Sequence, residues 1–530
     1  MDALDYIWLG IQAVFMGPEA FSVLGLSVSI TVMMVLAGFL FGIVVGATPG
    51  LAGPFAMAIS LPILISVFGY SPDALLPVMG FLIGIMKGAT IGGAVPAILF
   101  NTPGTPDAFM TTLDGFPMAQ KGQAKKALRV AHFSSASGDT FSDLVLFVCA
   151  PFLAIIVESY LDLPEKTGLL ILSLSFIAAV IGGSVGKGLI SIGLGLLAVY
   201  VGTGEDFYPR LSLGADGLSR GFPITTSVLG VLIIGAVFKE LDEVWRQNRR
   251  SKATPVITQK GDQKLHWVDI KRLSPFIARS ALIGTVIGAL PGVGSTLAAT
   301  LGYSSGRMQH QKSKPVGAPD FGEGAPEGIA ASEAANSAVS GANLIPVLSL
   351  GIPGNAAAVF LILAAESIGG FNPGPAVFRF SPDILNPELV VAFGLFTCMT
   401  IANFFNWTIG GVFMRSMGFM INIPKSLLLP AVLLLTLTAI YVQETRLEAI
   451  WFALGFGVLG YIMRVLTISP LPFIIAFILG RNLEETARQA YSATGNDPFF
   501  LFNNPIALIF ILMSVAVIIF SGRKPKEAAQ

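Results

Sequence analysis

Two short polar breaks inside apolar stretches carry most of the chemistry this sequence offers. The first runs Asn101-Thr102-Pro103-Gly104-Thr105-Pro106-Asp107, and the second Gly351-Ile352-Pro353-Gly354-Asn355. In each, a proline ends one helix and a glycine permits a turn. A residue able to cap (Thr105, Asn355) then starts the next helix. Pro106 suits a first helical position, where a missing N–H costs nothing. A helix start presents free N–H groups and the positive end of a dipole. Two such starts together make a cradle for carboxylates, with Asn101 through Thr105 on one side and Gly351, Pro353, Gly354 and Asn355 on the other. The competing reading is a pair of ordinary proline kinks.

Other residues bear on such a site. Lys87 lies inside an uncharged stretch, and an intramembrane charge is a functional candidate by default. It would offset substrate charge, or else snorkel to an interface. Asn336, Ser340 and Asn343 follow i, i+4, i+7 spacing on one helix face, which lines a cavity or bonds a neighbouring helix. Glu333 is either a proton or cation ligand or the wet start of a helix. Asp107 falls in a first helical turn, where the dipole stabilises it. A coupling cation would find oxygen near Thr48, Gly50, Gly292 and Asn343, beside two further breaks at 47–50 and 289–292.

The setting of these residues is a membrane. Hydrophobic residues make up 53 % of 530 and charged residues 12 %, and mean hydropathy is +0.75. No charge occurs from Phe21 to Pro72, enough for two crossings at roughly 20 residues each. A β-barrel is excluded, since its strands would alternate apolar and polar residues. The fold class is therefore an all-α polytopic membrane protein. The N-terminus lacks the basic region of a cleavable signal peptide, so the first apolar run is expected to stay. Cys149 and Cys398 sit in apolar runs and His132, His266 and His310 are scattered. Neither a metal site, a disulfide framework nor an enzyme constellation is indicated, and no cofactor is expected.

The two halves resemble each other. Gly42-x3-Gly46-Ala47-Thr48-Pro49-Gly50 reappears as Gly284-x3-Gly288-Ala289-Leu290-Pro291-Gly292, and Pro96-x6-Pro103-Gly104 as Pro346-x6-Pro353-Gly354. Gly115-Phe116 pairs with Gly370-Phe371, and Leu163-Pro164 with Ile423-Pro424. Internal repeats mark secondary transporters. Residues 1–86 hold no Lys or Arg, whereas Lys239–Arg279 holds ten. Because Lys and Arg collect in cytoplasmic loops, the N-terminus is expected in the periplasm and the 239–279 linker and C-terminus in the cytoplasm. The repeats then have inverted topology: 1–238 is membrane repeat 1, 280–503 is repeat 2, and 504–530 is a last helix with its tail. For this, 276–302 must turn back at Pro291-Gly292.

At four segments the sequence resembles a known family. They are Ile98-Leu-Phe-Asn101-Thr-Pro-Gly104-Thr-Pro106, Leu113-Asp-Gly-Phe-Pro-Met-Ala-Gln-Lys-Gly122, Glu333-Ala-Ala-Asn336 and Ile345-Pro-Val-Leu-Ser-Leu-Gly-Ile-Pro-Gly354. Together they look like the large membrane subunit of tripartite tricarboxylate transporters (TctA-type). The resemblance implies a bacterial inner-membrane carrier for di- or tricarboxylates, coupled to Na+ or H+ and elevator-like in mechanism. It also implies a small four-helix membrane subunit and a periplasmic solute-binding protein. Citrate is the family's namesake substrate. Lys87, Ser337 and Asp107 depart from the family pattern, where an aromatic, a second Asn and a small residue are commoner, and this puts citrate itself in doubt. Competing readings are a carboxylate channel, a stand-alone carrier without binding protein, and a membrane-embedded enzyme.

Overall fold

The computed structural model describes residues 3–23, 26–48, 51–181, 184–202, 210–211, 218, 221–247, 263–290, 294–313, 318–378, 385–418 and 425–522. Its first half contains helices α1 (Ala3–Phe15), α2 (Ile30–Gly46), α3 (Gly53–Phe68), α4 (Pro72–Gly92), α5 (Ala94–Phe100), α6 (Phe109–Gln120), α7 (Ala124–Tyr160), α8 (Leu163–Ile181), α9 (Val185–Val199), α10 (Ile224–Leu229) and α11 (Gly235–Gln247). The second half contains α12 (Trp267–Gly288), α13 (Gly294–Ser313), α14 (Pro326–Ala342), α15 (Leu344–Leu350), α16 (Ala356–Ile368), α17 (Pro387–Phe405), α18 (Gly411–Ser416), α19 (Lys425–Glu444), α20 (Leu447–Val465), α21 (Pro470–Ala493), α22 (Phe500–Asn503) and α23 (Pro505–Gly522). Five helical stretches are long and apolar enough to cross a membrane: Pro72–Phe100, Ala124–Leu153, Ile224–Arg246, Pro387–Ser416 and Leu447–Val465. The chain is a multi-pass helical membrane protein.

One segment departs from the all-helical expectation. Strands β1 (Glu19–Val23) and β2 (Leu26–Ser29) pair antiparallel, with Phe21 opposite Val28 and Ser22 opposite Ser27. Beyond Glu19 the stretch is uncharged, but Phe21-Ser22-Val23 and Leu26-Ser27-Val28-Ser29 alternate apolar and polar residues, the period of a strand. Ser29 then closes the hairpin and opens α2, its hydroxyl accepting from the Val32 N–H at 3.3 Å.

The chain forms two compact units. The first comprises Met1–Ala154, Gln247–Leu290 and Gly294–Leu428, and the second Ile155–Arg246, Pro291–Val293 and Leu429–Gln530. In the first unit α2 and α4 pack along their backbones. Gly38, Gly42 and Gly46 on α2 face Gly84, Gly88 and Gly92 on α4. A Cβ at Gly42 would stand 2.5 Å from the Ile85 carbonyl oxygen, and one at Gly88 2.1 Å from that of Phe39. Such small-residue stripes allow close packing where lipid supplies no hydrophobic drive between helices.

Two runs of elements in this unit follow the same order. Helices α2 to α7 are matched by α12 to α17: helix, break, helix, helix with a joint, short helix, tip, helix, long helix. The joint between α4 and α5 is Gly93, and that between α14 and α15 is Asn343. Packing is exchanged between the runs. Helix α6 packs on α13 and α14, while α16 packs on α3 and α4. Helices α12 and α13 pack side by side. Residues 49–50 and 291–293 lie outside those described.

The Gly-Phe landmark does not fit this matching. Gly115 lies within α6, whereas Gly370 follows the end of α16. A dipeptide match in Gly- and Phe-rich sequence carried too little information to fix a register. Ile423-Pro424 lies outside the described residues. The charged stretch 239–279 is helical at both ends, within α11 and α12, and residues 248–262 between them are not described.

In the second unit α8 packs on α21 and α23, and α9 on α21. Ser191 ties α9 to α21, donating to the Ser469 carbonyl at 2.7 Å and accepting from the Phe473 N–H at 2.9 Å. A wide π-type turn, Gly230–Ile234, joins α10 to α11 and packs on α20.

Candidate functional site

Both polar breaks form tips of the same construction. Helix α5 ends on Asn101 in the left-handed region (φ 53°), and α15 ends on Gly351 there (φ 70°). Asn and Gly are the residues that tolerate this conformation. The next N–H in each turns back to the matched proline carbonyl: Thr102 to Pro96 at 3.3 Å, Ile352 to Pro346 at 3.2 Å. Asn101 and Thr102 are exposed, whereas Gly104, Thr105, Pro353 and Gly354 are buried. Pro103, Gly351 and Asn355 are half-buried.

Two expectations about the tips need correction. Asn355 caps α16 as its type and position suggested, its Oδ1 accepting from the Ala358 N–H at 2.9 Å. Thr105 does not cap. It precedes a 3-10 turn, Pro106–Ala108, closed by Ala108 N–H on the Thr105 carbonyl at 3.1 Å. Its own hydroxyl is buried without a partner, turned back against the joint at Gly93. A 3-10 start places the N–H groups differently from an α-helix.

The second correction concerns why Gly104 and Gly354 are glycine. Positive φ falls at Asn101 and Gly351 instead, and neither Gly104 nor Gly354 adopts it. The reason is close approach. A Cβ at 104 would lie 2.2 Å from the carbonyl oxygen of Gly46, the last residue of α2, and 3.0 Å from Cα of Gly93. A Cβ at 354 would lie 2.1 Å from Asn343 Oδ1 and 3.7 Å from the carbonyl oxygen of Gly288, the last residue of α12. The first tip is thus pressed onto a helix end and a joint, and the second onto the joint residue Asn343 with the matched helix end in ordinary contact.

Helix α14 is the most polar buried surface of the first unit. Asn336 and Asn343 are buried to 2 % and 1 % exposure, and no atom of either amide has a protein partner. Ser340 between them bonds Asp139 Oδ1, and its hydroxyl also lies 2.7 Å from the Ser337 carbonyl. Thr48 is buried and donates to the Val44 carbonyl at 2.9 Å. The cation expectation thus reduces to Thr48 and Asn343, since Gly50 and Gly292 lie outside the described residues.

Lys87 is neither free beside a substrate nor snorkelling. It is 1 % exposed. Its Nζ donates to Asp139 Oδ1 at 3.0 Å, Asp143 Oδ2 at 2.7 Å and Asn403 Oδ1 at 3.2 Å. Two carboxylates already hold the ammonium, which removes it as a direct substrate ligand.

Sequence reasoning missed Asp139, Asp143 and Asn403. The signal was present: Asp139 and Asp143 stand i, i+4 on one face of α7, at the start of an apolar run, where intramembrane carboxylates ask for an explanation. Glu333 is fully buried, accepting from Ser135 Oγ at 2.8 Å and from Thr111 Oγ1, so it is not a wet helix start. Asp107 does sit in a first turn, and also accepts from Thr296 Oγ1 at 2.6 Å. Asp114, unremarked in the sequence, accepts from the N–H groups of Gly322, Gly324 and Ala325 at 2.8–2.9 Å and from Tyr303 Oη at 2.8 Å. It ties α6 to the chain leading into α14.

Two further carboxylates, Asp269 and Glu484, are held by basic partners. Burial works to raise the Asp269 carboxyl, but the Lys126 ammonium at 2.9 Å and the His266 N–H outweigh it and hold it below the usual range. At Glu484 burial is likewise outweighed, by Arg210 at 2.7 Å and by Arg488.

The arrangement offers buried polar groups and helix starts suited to binding. Among the described residues no group of three His, Cys, Asp or Glu side chains could hold a metal. Comparison with known proteins gives this geometry its context. The model of the tripartite tricarboxylate transporter TctA family matches residues 32–475. An uncharacterized 52.8 kDa protein of the TAR-I ttuC' 3' region of Agrobacterium vitis is 30 % identical over 500 residues, covering 93 % of each chain. An uncharacterized protein of the TAR-II ttuC' 3' region of the same organism is 29 % identical over 242 residues, 45 % of this chain and 93 % of that one. No solved structure matches the chain. The match spans both tips, the exchanged packing around them and most of the membrane helices, and the chain belongs to the TctA family of tripartite tricarboxylate transporter subunits.

Proposed function

We propose that this subunit is the large permease of a binding-protein-dependent system that takes up a di- or tricarboxylate across the bacterial inner membrane, coupled to Na+ or H+. The observation that carries the reading is the matched pair of tips. Each ends a short helix in the left-handed region, turns on Pro-Gly and opens a new helix, and each is seated against an equivalent helix end. Substrate carboxylates lie at the N-termini behind Thr105 and Asn355, where N–H groups and two dipoles supply positive character without a formal charge. The exposed Asn101 and Thr102 form the rim on the first tip. Citrate is one candidate among such acids.

The rest of the reading is drawn from the same elements. The Lys/Arg asymmetry supports an N-terminus in the periplasm and a C-terminus in the cytoplasm, with α2–α7 and α12–α17 as inverted repeats. An elevator-like motion is supported by the division of the chain into two units, with both tips in one of them. A small four-helix membrane subunit and a periplasmic solute-binding protein complete the assembly. A Na+ ion would find the buried, unpartnered Asn343 amide oxygen near the second tip.

The test is uptake of labelled di- and tricarboxylates into vesicles holding the chain with its small subunit, with and without binding protein and with imposed Na+ or pH gradients. Accumulation against a gradient that needs the binding protein supports the proposal. Equilibration alone indicates a channel, and accumulation without binding protein a stand-alone carrier.

A further inference from the structure

The Lys87 cluster has a charge balance that the tips do not account for. It joins four helices of the first unit: Lys87 from α4, Asp139 and Asp143 from α7, Ser340 from α14 and, from α17, Asn403. Lys87 and Asp139 are buried to 1 % and 2 % exposure, and the Asp143 side chain is 10 % exposed. One ammonium faces two carboxylates, so with all three ionised the cluster holds one net negative charge. An unbalanced buried ion costs several kcal/mol even after relaxation.

The two carboxylates are not equivalent. Both contacts of Asp139 fall on Oδ1, from Lys87 and from Ser340. Asp143 Oδ2 accepts from Lys87 and from Asn403 Nδ2, each at 2.7 Å. Asp143 Oδ1 is buried and has no partner. It lies against the backbone of α14, where a Cβ at Gly341 would stand 2.2 Å from it. A buried carboxylate oxygen with no donor is the place where a proton relieves most.

We propose that Asp143 is a proton-binding site: its Oδ1 takes one proton from a hydronium ion, an O–H bond forming on Oδ1 as one on hydronium breaks to leave water, and returns it to water within each transport cycle. Binding takes the cluster from one net negative charge to neutral, with Lys87 and Asp139 left as an ion pair. A metal cation is the weaker occupant, because the Lys87 ammonium already stands 2.7–3.2 Å from three of the oxygens such an ion would need. The site sits where both runs of elements meet, so its charge state is read by helices from each. Two other titratable groups on these helices, Glu333 and His132, are engaged elsewhere. Glu333 on α14 is seven residues before Ser340 and bonds Ser135 and Thr111. His132 on α7 is seven residues before Asp139 and bonds the Asn406 carbonyl at 3.0 Å. Seven residues are about 10 Å of helix.

This inference rests on the transport reading only for its role in coupling, and its test separates the two. Infrared spectra of the full-length protein in lipid nanodiscs, taken across pH, report the carbonyl stretch of a protonated carboxyl group without any substrate. A band that fades as pH rises is expected in the wild type and expected to be lost in Asp143→Asn. In Lys87→Met the band should persist to higher pH, because the competing ammonium is gone. Aspartate labelled with 13C at the carboxyl should shift the band in the wild type, which assigns it to aspartate even if the variants fold poorly. In vesicles, Asp143→Asn should lose accumulation driven by a pH gradient. A missing band, an unshifted band, or a band unchanged in Asp143→Asn overturns the proton site, whatever the transport result. If the spectra behave as stated but the wild type moves no carboxylate, the transport reading fails and the proton site stands.

Discussion

Gly104 approaches Gly46 so closely that a Cβ at 104 would stand 2.2 Å from the Gly46 carbonyl oxygen. At its counterpart Gly354, a Cβ would instead stand 2.1 Å from Oδ1 of the Asn343 side chain. The two tips are built alike, but the first is pressed on rigid backbone and the second on a side chain able to rotate.

Alanine should therefore divide them. Gly104→Ala forces the tip off the end of α2, and overpacking of this kind costs about 1–3 kcal/mol. Gly354→Ala can be met by turning Asn343 aside and should cost less. Thermal unfolding of both variants in detergent checks the order, and equal losses would show that the Asn343 amide is as fixed as backbone.

The caps should divide as well. Asn355→Ala removes the bond from the Ala358 N–H, a loss of about 1 kcal/mol. Thr105→Val removes a buried hydroxyl that has no partner, so stability should hold or rise slightly. The same unfolding measurement decides both, and a large loss in Thr105→Val would mean the hydroxyl has a role in the folded protein.

Lys87 should prove structural before anything else. Removing one member of a buried ion pair costs about 3–5 kcal/mol, because the other charge is left alone. Lys87→Met should therefore lower stability strongly, and adding Asp139→Asn should recover a good part of it. A double variant no better than the single one would contradict the pairing seen here.

This part of the molecule shows what the sequence could and could not convey. The tips were legible because Pro-Gly followed by Thr or Asn has local meaning, as do the element order around them and the membrane class. The partner of Lys87 was not legible, since Asp139 and Asn403 are brought to it by tertiary packing alone. Asp139 and Asp143 stand at the start of an apolar run, where hydropathy alone does not single them out. The hairpin at 19–29 was lost because an uncharged stretch was weighed by hydropathy and not by its period of two. Glycine at 104 and 354 signals a turn locally, but which positions take positive φ and which take close approach depends on what the tip meets.

A pH effect is expected at the Lys126–Asp269 pair. The folded carboxyl titrates below the unfolded value of about 3.9. Its contribution is therefore complete above that value and is lost as pH falls through the folded one. Both side chains are partly solvated, so the amount is within about 1 kcal/mol. Lys126→Ala should lower the melting temperature slightly at pH 7, and the difference from wild type should shrink progressively as pH falls below about 4. A difference that persists there would assign the effect to packing.

The central claim is that both tips hold the substrate. It is tested most directly by carboxylate binding and uptake in vesicles, with Gly104→Val and Gly354→Val compared against wild type at matched membrane levels. The account predicts that wild type accumulates a di- or tricarboxylate, and that each variant reaches the membrane, associates with the small subunit and loses substrate binding. Full uptake by either variant would contradict a two-ended site and leave the substrate held by one tip alone.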